Sequence, residues 1–142
     1  MANNVFAVWK GALMTAAADV SLNSTAAATA PFVQLHDTND VAYAPTHDFL
    51  SDVTAGQVGT AMQLTTPTVG TVSPGTFDAD NVTFAAVVGD QCEALVFYRN
   101  NAGAPGTKYL FLWLDASVTG LPVTPNGGNI TITWSASGIF TL

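Results

Sequence analysis

The clearest hydrophobic pattern lies near the C-terminus, in the stretch KYLFLWLDASVTGLPVTPNGGNITITWSASGIFTL from Lys108 to Leu142. From Tyr109 to Leu114 the run is apolar on both alternating faces, Tyr109, Phe111 and Trp113 on one and Leu110, Leu112 and Leu114 on the other. A strand with two apolar faces belongs in the middle of a structure. After a Pro/Gly-rich turn, Ile130, Ile132 and Trp134 alternate with Thr131 and Thr133, the pattern of a half-buried strand whose apolar side fills a core.

The remaining chain reads as shorter units. Residues 4–18 fit two periods: Val5, Phe6, Trp9, Leu13, Ala16 and Ala17 form a helical stripe behind an Asn3 or Asn4 cap, whereas Val5, Ala7 and Trp9 alternate as in a strand. A short helix is the reading taken, with Gly11 costing about 1 kcal/mol in its interior. Asp19 to Ala30 is a small-residue connection closed by Pro31. FVQLHDTND begins as a strand and ends in a turn-prone cluster from Asp37 to Asp40, and residues 41–59 form a long irregular passage in which Phe49, Leu50 and Val53 are the apolar anchors. A loop of that length either presents a contact surface or crosses between sheets. Further strands are expected at AMQL, TVGTV, VTFAAVV and CEALVFYR, divided by Pro67, Pro74-Gly75, the FDADN segment and Gly89-Asp90. Some eight strands at intervals of roughly 8–12 residues predict a mainly β fold, an antiparallel β-sandwich or jelly-roll-like barrel. The expected layout is one domain over 1–142, with residues 1–30 as an N-terminal helix or arm and 31–142 as the β-sandwich.

Composition narrows the range of functions. Charged residues make up 9% of the 142 positions, against about 25% in ordinary domains. Three basic residues face ten acidic ones for a net charge of −7, so binding to nucleic acid through counterion release has almost nothing to act with. The lone Cys92 lies in an apolar run and reads as a small buried hydrophobe. No apolar stretch reaches the roughly 20 residues of a membrane span. The opening segment lacks a basic start, and Lys10 interrupts its apolar part, so no secretory signal is expected.

Candidate chemistry is sparse. Asp78, Asp80 and Asn81 start like a calcium loop but lack the glycine and later acid that such a loop needs, and read as a turn with solvated carboxylates. His47, Asp48 and Asp52 suggest a base with an orienting carboxylate, yet no activated nucleophile can be assigned nearby. His36 closes a strand without partners at metal-ligand spacing. Three Asn-x-Thr/Ser triplets, at Asn23, Asn81 and Asn129, are expected by chance in a chain rich in Asn and Thr. Tyr43, Tyr98 and Trp113 are either a sugar-stacking platform or part of a core or interface. No catalytic, cofactor-binding or metal-binding residue is assigned, and no cofactor is expected.

The segments HDFLSDV (47–53), TFDADNVTF (76–84), ALVFYRNNAG (94–103), YLFLWLD (109–115) and GGNITITWSASGIFTL (127–142), taken in order, resemble a family of small tailed-phage virion proteins often encoded near the major capsid protein. The likeness covers the last two-thirds of the chain. It departs at GQVGTAMQLTTPTVG, where the family has a Gly-Thr-Gly-Tyr passage and a Gly-Gly step, and the N-terminal stretch is richer in alanine than the family's helix. The resemblance implies a non-enzymatic capsid decoration (cement) or other virion structural protein, made in the bacterial host cytoplasm, and the net charge of −7 points to the virion exterior, away from the packed DNA. Its partner would be the major capsid protein, and it would act as a homo-oligomer, commonly a trimer. The contact residues expected are Phe6, Trp9, Phe49, Leu50 and Val53. Rival expectations are a carbohydrate-binding β-sandwich on a head or tail fibre, and a tail structural component.

Overall fold

The computed structural model describes residues 3–116 and 118–142. It is mainly β, with one short helix. The strands are β1 (Asn4–Val5), β2 (Pro31–His36), β3 (Gln57–Gln63), β4 (Thr68–Val69), β5 (Thr76–Asp78), β6 (Val82–Phe84), β7 (Ala94–Arg99), β8 (Leu110–Leu114), β9 (Ile130–Ile132) and β10 (Phe140–Thr141). Helix α1 spans Ala7–Met14.

A five-stranded antiparallel sheet in the order β1-β8-β7-β2-β3 forms the centre. Two smaller antiparallel sheets, β10-β5-β4 and β6-β9, oppose one of its faces. Val33, Leu35, Leu95, Phe97, Phe111 and Leu112 from the large sheet meet Phe77, Val82, Phe84 and Ile132 from the small ones in a single apolar cluster. Ile132 is fully buried there, and Ile130 and Trp134 pack half-buried beside it, as their alternation predicts.

The other face of the central sheet carries a second cluster, in which Ala94, Val96, Tyr98, Leu110 and Trp113 are covered by Phe6, Leu50 and Val53. The long passage after β2 supplies the cover. It folds into two 3₁₀ turns, Leu50–Asp52 and Thr54–Gly56, and is tied down by Leu50 N–H to the Lys108 carbonyl (2.9 Å), Leu110 N–H to the Asp48 carbonyl (3.0 Å) and Asp37 N–H to the Gly56 carbonyl (2.8 Å). Covered on both sides, β7 and β8 are buried at every position, which accounts for their two apolar faces.

Three sequence expectations need correction. Phe111 does not share a face with Trp113: β8 pairs Leu112 with Phe97 and Leu110 with Tyr98, so Phe111 is an extra residue that resets the alternation. It joins Leu112 and Leu114 in the first cluster, while Leu110 and Trp113 face the second. The helix begins later than expected, because Asn4 and Val5 pair with Trp113 and Leu112. Its N-cap is Phe6, with no side-chain cap bond, and Asn3 instead accepts the N–H groups of Asp115 and Ala116 through Oδ1. Third, the divider FDADN opens as strand: Thr76–Asp78 pairs with both β4 and β10, and of TVGTV only Thr68–Val69 is strand.

Candidate functional site

Four of the five expected contact residues are part of the chain's own interior. Phe6 and Val53 are 0% exposed, Trp9 2% and Leu50 7%. Phe6, Leu50 and Val53 come together in the second cluster. Trp9 belongs to the first, against Phe111 at 5.7 Å between centroids and with its indole N–H donating to the Val20 carbonyl at 3.0 Å. Phe49 is half-buried, its ring tilted by 34° against Tyr109 at 5.3 Å between centroids. In this conformation these side chains fasten the N-terminal segment and the cover to the sheet. Removing residues 1–18 would therefore open both clusters rather than trim an arm.

The aromatic platform dissolves in the same way. Tyr98 and Trp113 are buried, and Tyr43 lies half-buried against Phe6 (5.6 Å) and Trp113 (5.7 Å). Every aromatic side chain of the protein is buried or half-buried, so no row of open rings exists for sugars to stack on.

Several titratable groups have structural partners. Asp52 Oδ2 accepts the N–H groups of Asp48 (2.8 Å) and Phe49 (3.0 Å); these bonds, Phe49's foremost, hold its carboxyl below the usual range. A carboxylate so engaged caps the 3₁₀ turn, and His47 Nδ1 is buried with no hydrogen bond to an orienting acid. Asp80 Oδ2 accepts the hydroxyls of Thr65 and Thr66, and Asn81 Oδ1 accepts the Trp134 backbone N–H at 3.0 Å, so Asp80 and Asn81 tie this segment to the chain just before β4 and just after β9. Cys92 is fully buried, and burial pushes its thiol up to about 11. Asp37, Asp40 and Asp90 bring carboxylate oxygens within 4.8 Å of one another. Asp37 accepts Asn39 N–H at 2.7 Å, and Asp40 and Asp90 are exposed, which makes this an acidic corner of the surface rather than a built centre.

Besides a more polar cleft of about 270 Å³ at Asn3, Leu114, Val118 and Trp134, an apolar groove of about 250 Å³ lies between α1, the segment after it and the β10-β5-β4 sheet. Trp9, Leu22 and Phe77 form its buried floor, with Phe140 half-buried beside them, and Val69 and Leu142 stand at its rim, 55% and 61% exposed. Met14, 88% exposed, follows Leu13 of the lining, and Val72, 47% exposed, sits in the turn between β4 and β5. Sequence reasoning assigned Val69 and Val72 to a strand, where a valine is ordinary; Val69 ends β4, and Val72 lies in the turn that follows. The available signal was the company of Gly70, Pro74 and Gly75, which turns the chain directly after Val69 and leaves Val72 without cover. No helix among the described residues is long and apolar enough to cross a membrane. Set against protein-family models and against curated proteins, the chain matches none.

Proposed function

We propose that this protein is a non-enzymatic structural component of a tailed-phage virion, a decoration protein that binds the outer face of the capsid as a homo-oligomer, with a trimer favoured. The virion assignment rests on the ordered segments that resemble the phage family. The observation that carries a docking role is the groove whose rim, Val69 and Leu142, is apolar and exposed. A surface with few charges loses its water cheaply on docking, because burying Val, Thr or Ala avoids the penalty of an unpaired charge. Oligomerisation multiplies a weak contact over many equivalent lattice sites. The net charge of −7 favours the exterior, since DNA packed inside would repel it.

Capsids lacking the protein, titrated with the purified chain, test this reading. Wild type should bind saturably, and Val69→Asp with Leu142→Asp should weaken binding by about 2 kcal/mol, roughly thirtyfold. Val88→Asp, at an exposed apolar site outside the groove, should bind as wild type does. No binding by wild type would remove the decoration role; equal binding by all the variants would remove the groove as the docking surface.

A further inference from the structure

Gln34 and His36, both 0% exposed, are polar side chains fully buried on the second face of the central sheet, opposite Val96 and Ala94 of the second cluster. His36 Nε2 lies 2.8 Å from the Val41 carbonyl. A carbonyl only accepts, so Nε2 carries the hydrogen, and Nδ1 of the neutral ring is left to accept from Gln34 Nε2 at 3.3 Å. Gln34 Oε1 is buried without a partner. Trp113 stands edge-on to the imidazole, with centroids 4.9 Å apart and planes at 69°. Gly56 closes another side so tightly that a methyl group there would lie 2.4 Å from His36 Cε1. The ring thus joins β2 to both ends of the cover, through Val41 at its start and Gly56 at its finish.

We propose that His36 is an acid-operated latch: a proton arriving from solvent at Nδ1 releases the segment 37–56 from the second face of the central sheet. Protonation turns Nδ1 from an acceptor into a donor facing the Gln34 amide. Rotating that amide would bring Oε1 onto the new N–H but would strand the NH2 group in its place, and the charge would still lack water. The surrounding charges do not neutralise it. Asp37 and Asp40 favour the proton and His47 opposes it. The other nearby acids are engaged elsewhere: Glu93 accepts from Thr38 N–H and hydroxyl, Asp115 accepts from the Trp113 indole N–H, and Asp52 caps its own turn. Asp90 lies with Asp37 and Asp40 at the exposed acidic corner. Burial outweighs the favourable bonds and charges, so the closed ring titrates below its ordinary 6.5. With the cover lifted, water reaches the ring and its ordinary affinity returns. The open form thus takes the proton first, and each pH unit below 6.5 shifts the balance toward it about tenfold until the closed ring also titrates. Opening uncovers Leu50, Val53 and Trp113, apolar surface that is otherwise hidden.

Amide hydrogen exchange on the full chain, followed by NMR from about pH 7.5 to about pH 4.5 and corrected for intrinsic rates, tests the latch. Val41, Leu50, Val53 and Gly56 report the cover, and Val96 in β7 reports the sheet. The cover amides should lose protection about tenfold per pH unit below the ordinary histidine range while Val96 keeps its own. His36→Gln, whose amide can donate to Val41 but does not titrate, should abolish that dependence, and His47→Asn should retain it. The same dependence in His36→Gln as in wild type, or none in wild type, overturns the proposal. Should His36→Gln not fold, the imidazole titration of His36 in the wild type decides: its midpoint must coincide with opening of the cover, and a ring still neutral while the cover opens rejects the latch.

Discussion

Replacing Gly56 with alanine tests whether the 37–56 segment is a fitted cover or a loosely lying loop. The new methyl carbon would sit 2.4 Å from His36 Cε1, 2.5 Å from Nε2 and 2.9 Å from the Asp37 carbonyl oxygen. None of these atoms is free to yield. The ring is held between Trp113 and the Val41 carbonyl, and the Asp37 carbonyl belongs to backbone that accepts from Val41 N–H. Overpacking of this kind costs about 1–3 kcal/mol, and a shift that stretches the bond from Asp37 N–H to the Gly56 carbonyl adds about 1 kcal/mol. The stiffer unfolded chain of an alanine variant returns about 0.5–1 kcal/mol. The net expectation is a loss of about 1–3.5 kcal/mol, which at a urea slope of about 2 kcal/mol per molar lowers the unfolding midpoint by roughly 0.5–1.7 M. Gly106→Ala is the matched control, because its methyl group meets nothing closer than Ser51 Oγ at 3.7 Å. It should be neutral or stabilising by up to about 1 kcal/mol. If the two variants unfold at the same urea concentration, the close fit of the cover against His36 is wrong.

Gly11→Ala places a methyl group in open space within α1 and should raise stability by about 1 kcal/mol, read as a higher melting temperature. Trp9→Ala should cost about 3–5 kcal/mol, measured by denaturation, because it empties the site against Phe111 and releases the Val20 carbonyl. Asp52→Ala should remove a capping contribution of about 1 kcal/mol at neutral pH. Since bonding lowers the folded carboxyl's pKa, this contribution is present above the ordinary 3.8 and fades as pH falls below it. The difference between variant and wild type should therefore shrink in acid. Cys92, buried and with its thiol near 11, should resist alkylation at neutral pH until denaturant unfolds the chain, as mass spectrometry would show.

The parts of the fold that could be read in advance are those where one residue pattern has one physical solution. The unbroken apolar run of β8 requires cover on both faces, and the Ile/Thr alternation of β9 requires one. The bulge at Phe111 could not be read, because an extra residue in an all-apolar run leaves no polar position out of phase to betray it. The role of residues 41–59 was equally open. Phe49, Leu50 and Val53 suit docking onto a partner as well as docking onto the chain's own sheet; Leu50 and Val53 pack on the second face of the central sheet, and Phe49 lies half-buried against Tyr109. Thr76–Asp78 escaped notice because Asp78 looks like turn chemistry, although its strand is set by pairing with β4 and β10 on either side. The groove at Val69 and Leu142 joins residues from opposite ends of the chain, a proximity that local pattern does not encode.

Cryo-electron microscopy of a virion containing this protein, with its density assigned, bears most directly on the proposed role. The expected image shows repeated copies on the outer capsid surface, with the Val69 and Leu142 rim turned toward the major capsid protein. Density confined to the tail or to the interior of the shell would contradict it.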